Sequence, residues 1–247
     1  MRILPVLLAA TLLAWGGAWY QARTLPERSR IQPELLGEPK QGTTGRAPFG
    51  FDYRGLKYEV QPVASYDLYG LVVSHNDIHG IADIYHDDDS VDTKDLCVIW
   101  GPNLEHDDYR RITFENTPTW CHWSWRSDDI QFHSEAIANN HLVTDSAALR
   151  AALDRVHIGD QVHFSGMLAN YRDMRHPEFW RPSSTSRTDS GAGACEVVYF
   201  EQLEVLQPHA VGAWRVRRVM PWLVGTLLAL MLVVAATTDK KYSEVRI

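Results

Sequence analysis

The chain has few cysteines and no strongly basic segment. Its 247 residues include only Cys97, Cys121 and Cys195, and no Cys-x-x-Cys pair occurs. Three cysteines are too few for a small domain held together by disulfides. The net charge is -7 and no lysine- or arginine-rich run stands out. The basic surface of a nucleic-acid-binding protein is therefore missing, and we expect no nucleic-acid partner.

Several short catalytic patterns are also absent. The sequence has no Gly-x-Ser-x-Gly elbow of a serine hydrolase, no Walker phosphate loop and no His-Glu-x-x-His zinc helix. No established catalytic constellation can therefore be read from the sequence, which favours a protein without enzymatic activity.

Two long apolar runs are present, one near each end of the chain. Residues 3–20 and 219–236 carry no charge, and each run has 18 residues. This is just enough for a helix to cross a hydrocarbon core of about 30 Å. Aromatic residues lie at the end of each run that faces the middle of the chain, as expected at a membrane interface: Trp15, Trp19, Tyr20, Trp214 and Trp222.

These runs divide the chain. We predict an N-terminal transmembrane helix or signal-anchor over residues 1–22, a linker over 23–58, a soluble β-rich domain over 59–209, a transmembrane helix over 215–238 and a short tail over 239–247. A cleaved signal peptide is the alternative for the first segment. We expect a bacterial inner-membrane protein with a periplasmic domain, although the arginines on the domain side of both segments favour the opposite orientation.

Five runs between the apolar segments predict β-strands, because they are rich in β-forming residues and bounded by turns. They cover residues 66–74, 96–100, 120–125, 162–171 and 195–206. One helix is predicted before the fourth run, capped by Thr144 or Asp145 and ended by Gly159. This order resembles an OB-fold barrel, in which a helix lies between the third and fourth strands. We expect a mainly β domain with one helix, either an OB-like barrel or a β-sandwich, flanked by two transmembrane helices.

Two polar segments resemble an uncharacterised group of bacterial membrane-anchored proteins. The first contains His133-Ser134 and Asn140-His141-Leu142. The second contains Ser183-Ser184, Arg187, Asp189, Gly191 and Gly193 to Glu196. The resemblance implies an anchored, β-rich protein and brings no known activity with it.

An acidic stretch over residues 77–95 contains interleaved histidines. Carboxylates bind hard cations, and histidine with carboxylate binds transition metals. The candidate metal ligands are His79, Asp83, His86, Asp87 and Asp89. The alternative is a solvated acidic loop, and we expect no other cofactor.

Cys195 is the candidate nucleophile, with His133 or His141 as its base, because a reactive thiolate needs a nearby base or positive charge. Packing at a strand start is one alternative. A Cys121–Cys195 disulfide, which leaves Cys97 buried, is another.

The polar loop before Cys195 supplies further candidates for a binding motif, Arg187, Asp189 and Glu196. Arg187 and Asp189 could pair and brace this loop. Trp120, Trp123 and Trp125 are expected to pack in the core or on the sheet, with a stacking platform for ligands as the alternative.

Three functions remain open on the sequence alone. The first is a membrane-anchored, non-enzymatic envelope module that binds a partner protein or assembles in a membrane complex. The second is a cysteine-dependent hydrolase or transferase that uses Cys195. The third is a metal-binding sensor that uses the acidic stretch. The lipid bilayer and an envelope protein are the expected partners.

Overall fold

The computed structural model describes residues 3–77, 91–117, 120–189, 191 and 194–243, with residues 238–243 described as backbone only. The chain divides into two compact units. One is formed by Leu25–His209. The other is formed by the two ends, up to Thr24 and from Ala210 onward.

The described residues contain three α-helices: α1 (Ile3–Gln21), α2 (Ala147–Leu153) and α3 (Val211–Ser243). Helices α1 and α3 form the terminal unit, and both are long and apolar enough to cross a membrane. They pack around the small side chains of Ala18, Ala22 and Ala213, which allow two helices to approach closely. The prediction of two long apolar helices flanking a mainly β domain is confirmed.

The described part of the domain contains nine β-strands: β1 (Lys40–Gly42), β2 (Phe49–Tyr53), β3 (Leu56–Asp77), β4 (Asp92–Ile99), β5 (Thr113–Asn116), β6 (Cys121–Ser124), β7 (Ile137–Val143), β8 (Gln161–Asp173) and β9 (Glu196–Gln207). Five of them form a closed ring in the order β3, β4, β7, β9, β8 and back to β3. All neighbours in the ring are antiparallel except β7 and β9, which are parallel.

The ring closes because its longest strand bends and because glycines let neighbouring strands approach. Strand β3 has register shifts after Val72 and after Pro62, where it can change direction. A Cβ atom at Gly166 would lie 2.9 Å from the Cα atom of Phe200 and would contact the carbonyl oxygen of Tyr199. Only glycine fits between β8 and β9 at this point.

The interior of the ring is an apolar cluster formed by alternate residues of all five strands, with Leu153 and Val156 from the α2 region. Trp100, Phe164 and Phe200 are among its largest fully buried side chains. A second cluster covers the outer face of β3 and β4 and includes Leu35, Cys97 and Tyr109. The outer face of β4 is therefore buried as well, and its polar residues lie out of water.

Shorter elements complete the domain. Strands β1 and β2 pair with β3, and β5 and β6 form a separate two-stranded hairpin. Helix α2 is capped by Ser146, whose side chain accepts a hydrogen bond from the Leu149 amide. The predicted caps, Thr144 and Asp145, were therefore wrong by one or two residues.

The segment predicted as a linker over 23–58 differs from the structure. From Leu25 onward it belongs to the compact unit and contains two 3₁₀ turns, Arg28–Arg30 and Pro33–Leu36, together with β1 and β2. Leu35 is fully buried and Ile31 nearly so. These apolar residues are too irregularly spaced to give a periodic pattern, so the sequence did not reveal their packing.

Candidate functional site

Two cross-strand pairs on the outer face of the ring define the candidate site. Asp95 of β4 lies opposite His141 of β7, and Cys97 lies opposite Asn139 in the same ladder. Because alternate residues of a strand share a face, these four side chains lie on one surface. Cys195 immediately precedes β9, the parallel neighbour of β7. The fold therefore brings three distant parts of the chain together here.

Hydrogen bonds link three of these side chains. His141 Nδ1 lies 2.6 Å from Asp95 Oδ1, and both side chains are almost completely buried. Cys195 forms a further side-chain hydrogen bond with His141. The order Asp95, His141, Cys195 is the order of an orienting carboxylate, a base and a nucleophile.

Burial and charge act in opposite directions on His141. Burial alone would lower its pKa, but the charge of the Asp95 carboxylate and the hydrogen bonds of His141 with Asp95 and Cys195 outweigh burial and raise the pKa of His141 to about 10. Burial also raises the pKa of Asp95. The pair therefore retains a proton at neutral pH, and the 2.6 Å contact places this proton between His141 Nδ1 and Asp95 Oδ1.

Arg181 covers His141 from the segment that follows β8. One terminal guanidinium nitrogen lies 2.9 Å from His141 Nε2, and the other lies 3.5 Å from Asp92 Oδ2. Tyr171 also donates a 2.9 Å hydrogen bond to Asp92, and Arg181 and Tyr171 exchange two backbone hydrogen bonds. Arg181 thus adds a fixed positive charge to the site.

A chain of amide groups approaches the sulfur from the other side. Asn139 Nδ2 lies 3.7 Å from Cys195 Sγ, a long contact with a weak acceptor. Asn139 Oδ1 accepts a 2.9 Å hydrogen bond from Asn116 Nδ2. Asn116 Oδ1 in turn accepts a hydrogen bond from the Ser74 hydroxyl. These bonds direct the NH₂ group of Asn139 towards the sulfur.

The carboxyl group of Glu196, next to Cys195, lies at the end of the barrel interior. Its Oε1 is 2.7 Å from Arg187, and the Arg187 guanidinium lies over the rings of Tyr66 and Trp100. Glu196 Oε2 has no hydrogen-bond partner among the described residues. Burial raises the pKa of Glu196 to about 8, although Arg187 opposes the shift.

A cleft of about 150 Å³ gives access to this region. Cys195, Asn139 and Arg187 line it, together with Trp120 and Trp123 of the β5–β6 hairpin. A cavity of this volume holds a group about the size of benzene. The cleft therefore has room for a small portion of a ligand beside the thiol.

The disulfide differs from the prediction. Cys121 bonds with Cys97, with Cα atoms 6.0 Å apart, and Cys195 stays outside this bridge. The Cys121–Cys195 pairing was therefore wrong. The sequence predicted that Cys97 would stay buried without a disulfide partner. In the structure Cys97 is buried, but its side chain faces outward from the ring towards the β5–β6 hairpin, where it reaches Cys121.

The structure separates the other candidates. Of the two predicted bases it brings His141 to Cys195, whereas His133 is about half exposed and contacts Glu135. Asp189 accepts a hydrogen bond from Ser184 and Arg187 pairs with Glu196, so the Arg187–Asp189 pair was wrong.

The predicted metal ligands His79, Asp83, His86, Asp87 and Asp89 lie outside the described residues. Within the described ranges, no group of three or more His, Cys, Asp or Glu side chains is placed to hold a metal ion.

The tryptophans lie on the hairpin rather than in the core. Trp123 and Trp125 are 36% and 41% exposed, and both pack against the ring of Phe132. The prediction of packing in the core was wrong for these two residues, whereas Trp123 does lie on a sheet, the two-stranded one formed by β5 and β6.

Sequence reasoning missed Asp95, Arg181, Asn116 and Asn139. No local pattern identifies them, because they meet His141 and Cys195 only through strand register and a long connection. The one usable signal was the run Asn139-Asn140-His141 inside an apolar segment, which indicates polar groups that need buried partners.

Comparison with protein-family models, with curated proteins and with solved structures gives no match for the chain.

Proposed function

We propose that the chain is a membrane-anchored, cysteine-dependent hydrolase or transferase acting on acyl groups. The observation that carries the proposal is the hydrogen-bonded series Asp95, His141 and Cys195 at the end of a cleft. Cys195 is the nucleophile, His141 exchanges protons with it, and Asp95 orients the imidazole.

The reaction has two steps. The Arg181 guanidinium, which donates to His141 Nε2 at rest, first turns aside. Cys195 then gives its proton to Nε2, and its sulfur attacks the carbonyl carbon of the substrate. A carbon–sulfur bond forms, the bond to the leaving group breaks, and the leaving group takes the proton from His141. Water or a second acceptor then attacks the thioester carbon, and the carbon–sulfur bond breaks. The proton of the attacking group returns to the Cys195 sulfur. During the first step the thiolate faces positive charge from Arg181 and the protonated imidazole.

We further propose that the barrel is OB-like and that it lies in the periplasm of a bacterium, anchored in the inner membrane. The order of the ring and the position of α2 between β7 and β8 support the first point. The Cys97–Cys121 disulfide supports the second, because such bonds persist in oxidising compartments.

The test uses the full-length, oxidised protein in mild detergent. After mixing with p-nitrophenyl acetate, we expect an acetyl group on Cys195, located by peptide mass spectrometry. Cys195→Ser should abolish that adduct, and His141→Gln should slow its formation by about 100-fold or more. His133→Gln is the matched control and should leave the rate unchanged. Absence of both the adduct and Cys195-dependent release of p-nitrophenol from the wild-type protein would refute the proposal.

A second candidate function, a module that binds an envelope protein, is favoured by the exposed Trp123 and Trp125. Exposed tryptophans are enriched in the centres of protein interfaces. Double substitution of both residues by alanine should then abolish co-purification of a stable partner from membranes, while Cys195→Ser should retain it. Equal recovery of the partner with both variants would exclude this surface.

A further inference from the structure

Asn139 has a position that the proposed series of Asp95, His141 and Cys195 does not explain. Its side chain is 7% exposed, it lines the cleft, and its NH₂ group is in contact with the nucleophilic sulfur. In acyl transfer, negative charge develops on the substrate oxygen next to the carbon that the sulfur attacks. A hydrogen-bond donor already fixed beside the sulfur is placed to stabilise that charge.

The direction of the Asn139 amide is set by its neighbours. An asparagine amide can present either its NH₂ group or its oxygen to the sulfur, and only the first helps an oxyanion. The Ser74 hydroxyl donates to Asn116 Oδ1, and the NH₂ group of Asn116 donates to Asn139 Oδ1. The NH₂ group of Asn139 is then directed to Cys195.

The disulfide holds this arrangement together. Cys97 is the cross-strand partner of Asn139 in the ring, and Cys121 is the cross-strand partner of Asn116 in the β5–β6 hairpin. The Cys97–Cys121 bond and the Asn116–Asn139 hydrogen bond therefore join the same two pairs. A two-stranded hairpin has little stability of its own, so the covalent bond keeps Asn116 in register with Asn139.

We propose that Asn139 is the oxyanion donor of this site, that Asn116 is its positioning residue, and that the Cys97–Cys121 disulfide makes acyl transfer dependent on oxidation. The inference rests on the proposed function and names a catalytic group and a regulatory bond in the same site. Reduction of the disulfide releases the hairpin, Asn116 loses its register, and the Asn139 amide is free to turn its oxygen towards the sulfur.

Two reactions of the same sulfur separate this role from a structural one. Acetylation by p-nitrophenyl acetate passes through an oxyanion, whereas alkylation by iodoacetamide displaces iodide and forms no oxyanion. In the full-length protein, Asn139→Ala should slow acetylation of Cys195 by about 100-fold or more, while alkylation should change by less than about threefold. A structural role predicts that both rates fall together.

Asn116→Asp tests the positioning step without a change in volume. The carboxylate of this variant can only accept, so Asn139 must turn its NH₂ group away from the sulfur. We expect acetylation to slow by about 10-fold or more with alkylation preserved. Asn170→Ala, on β8, is the control and should affect neither rate. Reduction of the wild-type disulfide should lower acetylation as Asn116→Asp does.

The outcomes are distinguishable. If wild-type Cys195 is acetylated but Asn139→Ala reacts equally fast, or if acetylation and alkylation fall by the same factor, the oxyanion role is wrong and the nucleophile stands. If wild-type Cys195 is not acetylated at all, the proposed function fails and this inference fails with it. If reduction leaves acetylation unchanged, the oxidation dependence is wrong.

Discussion

The buried carboxyl group of Glu196 should make the stability of the domain depend on pH in the direction opposite to that of most carboxylates. Burial raises its pKa from an ordinary value of 4.5 to about 8, so the folded protein holds a proton there that the unfolded chain releases. Stability is then greatest below about pH 4.5 with respect to this group and falls as the pH rises towards 8. Each pKa unit corresponds to about 1.4 kcal/mol, so the whole shift corresponds to at most about 5 kcal/mol.

Glu196→Gln removes this dependence, because a glutamine stays neutral at every pH. We expect the free energy of unfolding of the variant to lie within about 1 kcal/mol of the wild-type value at pH 5. At pH 8.5 we expect it to exceed the wild-type value by about 2 to 4 kcal/mol. The expected gain at pH 8.5 is smaller than the full pKa shift implies, because the glutamine also loses the attraction between the carboxylate and the Arg187 guanidinium. Urea unfolding of the full-length protein in mild detergent, followed by tryptophan fluorescence, measures both values.

Glu204→Gln is the control, since Glu204 lies exposed on the same strand. Glu204→Gln should leave the difference in unfolding free energy between pH 5 and pH 8.5 the same as in the wild-type protein. Parallel pH profiles for wild type and Glu196→Gln would refute the reasoning, because the Glu196 carboxyl would then ionise equally in the folded and unfolded states.

Three further predictions concern the fold and the topology. Gly166→Ala should destabilise the domain by about 3 kcal/mol or more, seen as a lower urea midpoint, because the added Cβ meets the Tyr199 carbonyl and backbone separation must increase; an unchanged midpoint would contradict the close strand approach. Replacing Cys97 and Cys121 together by serine should lower the unfolding free energy by about 3 kcal/mol, since the bond closes a loop with a sequence separation of 24; a loss under 1 kcal/mol would mean that the hairpin is held by packing alone. Glu178→Cys should react with a membrane-impermeant maleimide in intact cells if the domain is periplasmic, and labelling only after lysis would place the domain in the cytoplasm.

The strands that the sequence predicted correctly are rich in aliphatic and aromatic residues, although polar residues occur among them. Residues 162–171 and 195–206 fall within β8 and β9 almost unchanged. Strand β7 was missed, because Asn139, Asn140 and His141 make it resemble a polar loop. Those polar side chains are tolerated in a strand only because each finds a polar partner on another strand, and that pairing depends on register.

The candidate site was predicted in part. Cys195 and His141 were both named, because a thiol and an imidazole are recognisable as residue types. The choice between His141 and His133 needed the parallel pairing of β7 with β9, which joins residues 56 apart in the sequence, such as Asn140 and Glu196. The disulfide pairing could not be deduced either, since three cysteines allow three bridges and the sequence does not rank them.

Closure of the ring has a consequence for how the protein is made. Strand β3 pairs with β8 from Tyr58 to Leu71, and β9 must lie between β7 and β8 before the circle is complete. Such long-range pairing is slow, because loop-closure entropy is lost before the contacts form. The domain therefore cannot finish folding until the chain has been synthesised through Gln207, four residues before α3 begins at Val211. For most of its synthesis the protein therefore carries apolar strands without their partners, which exposes it to aggregation until β9 is in place.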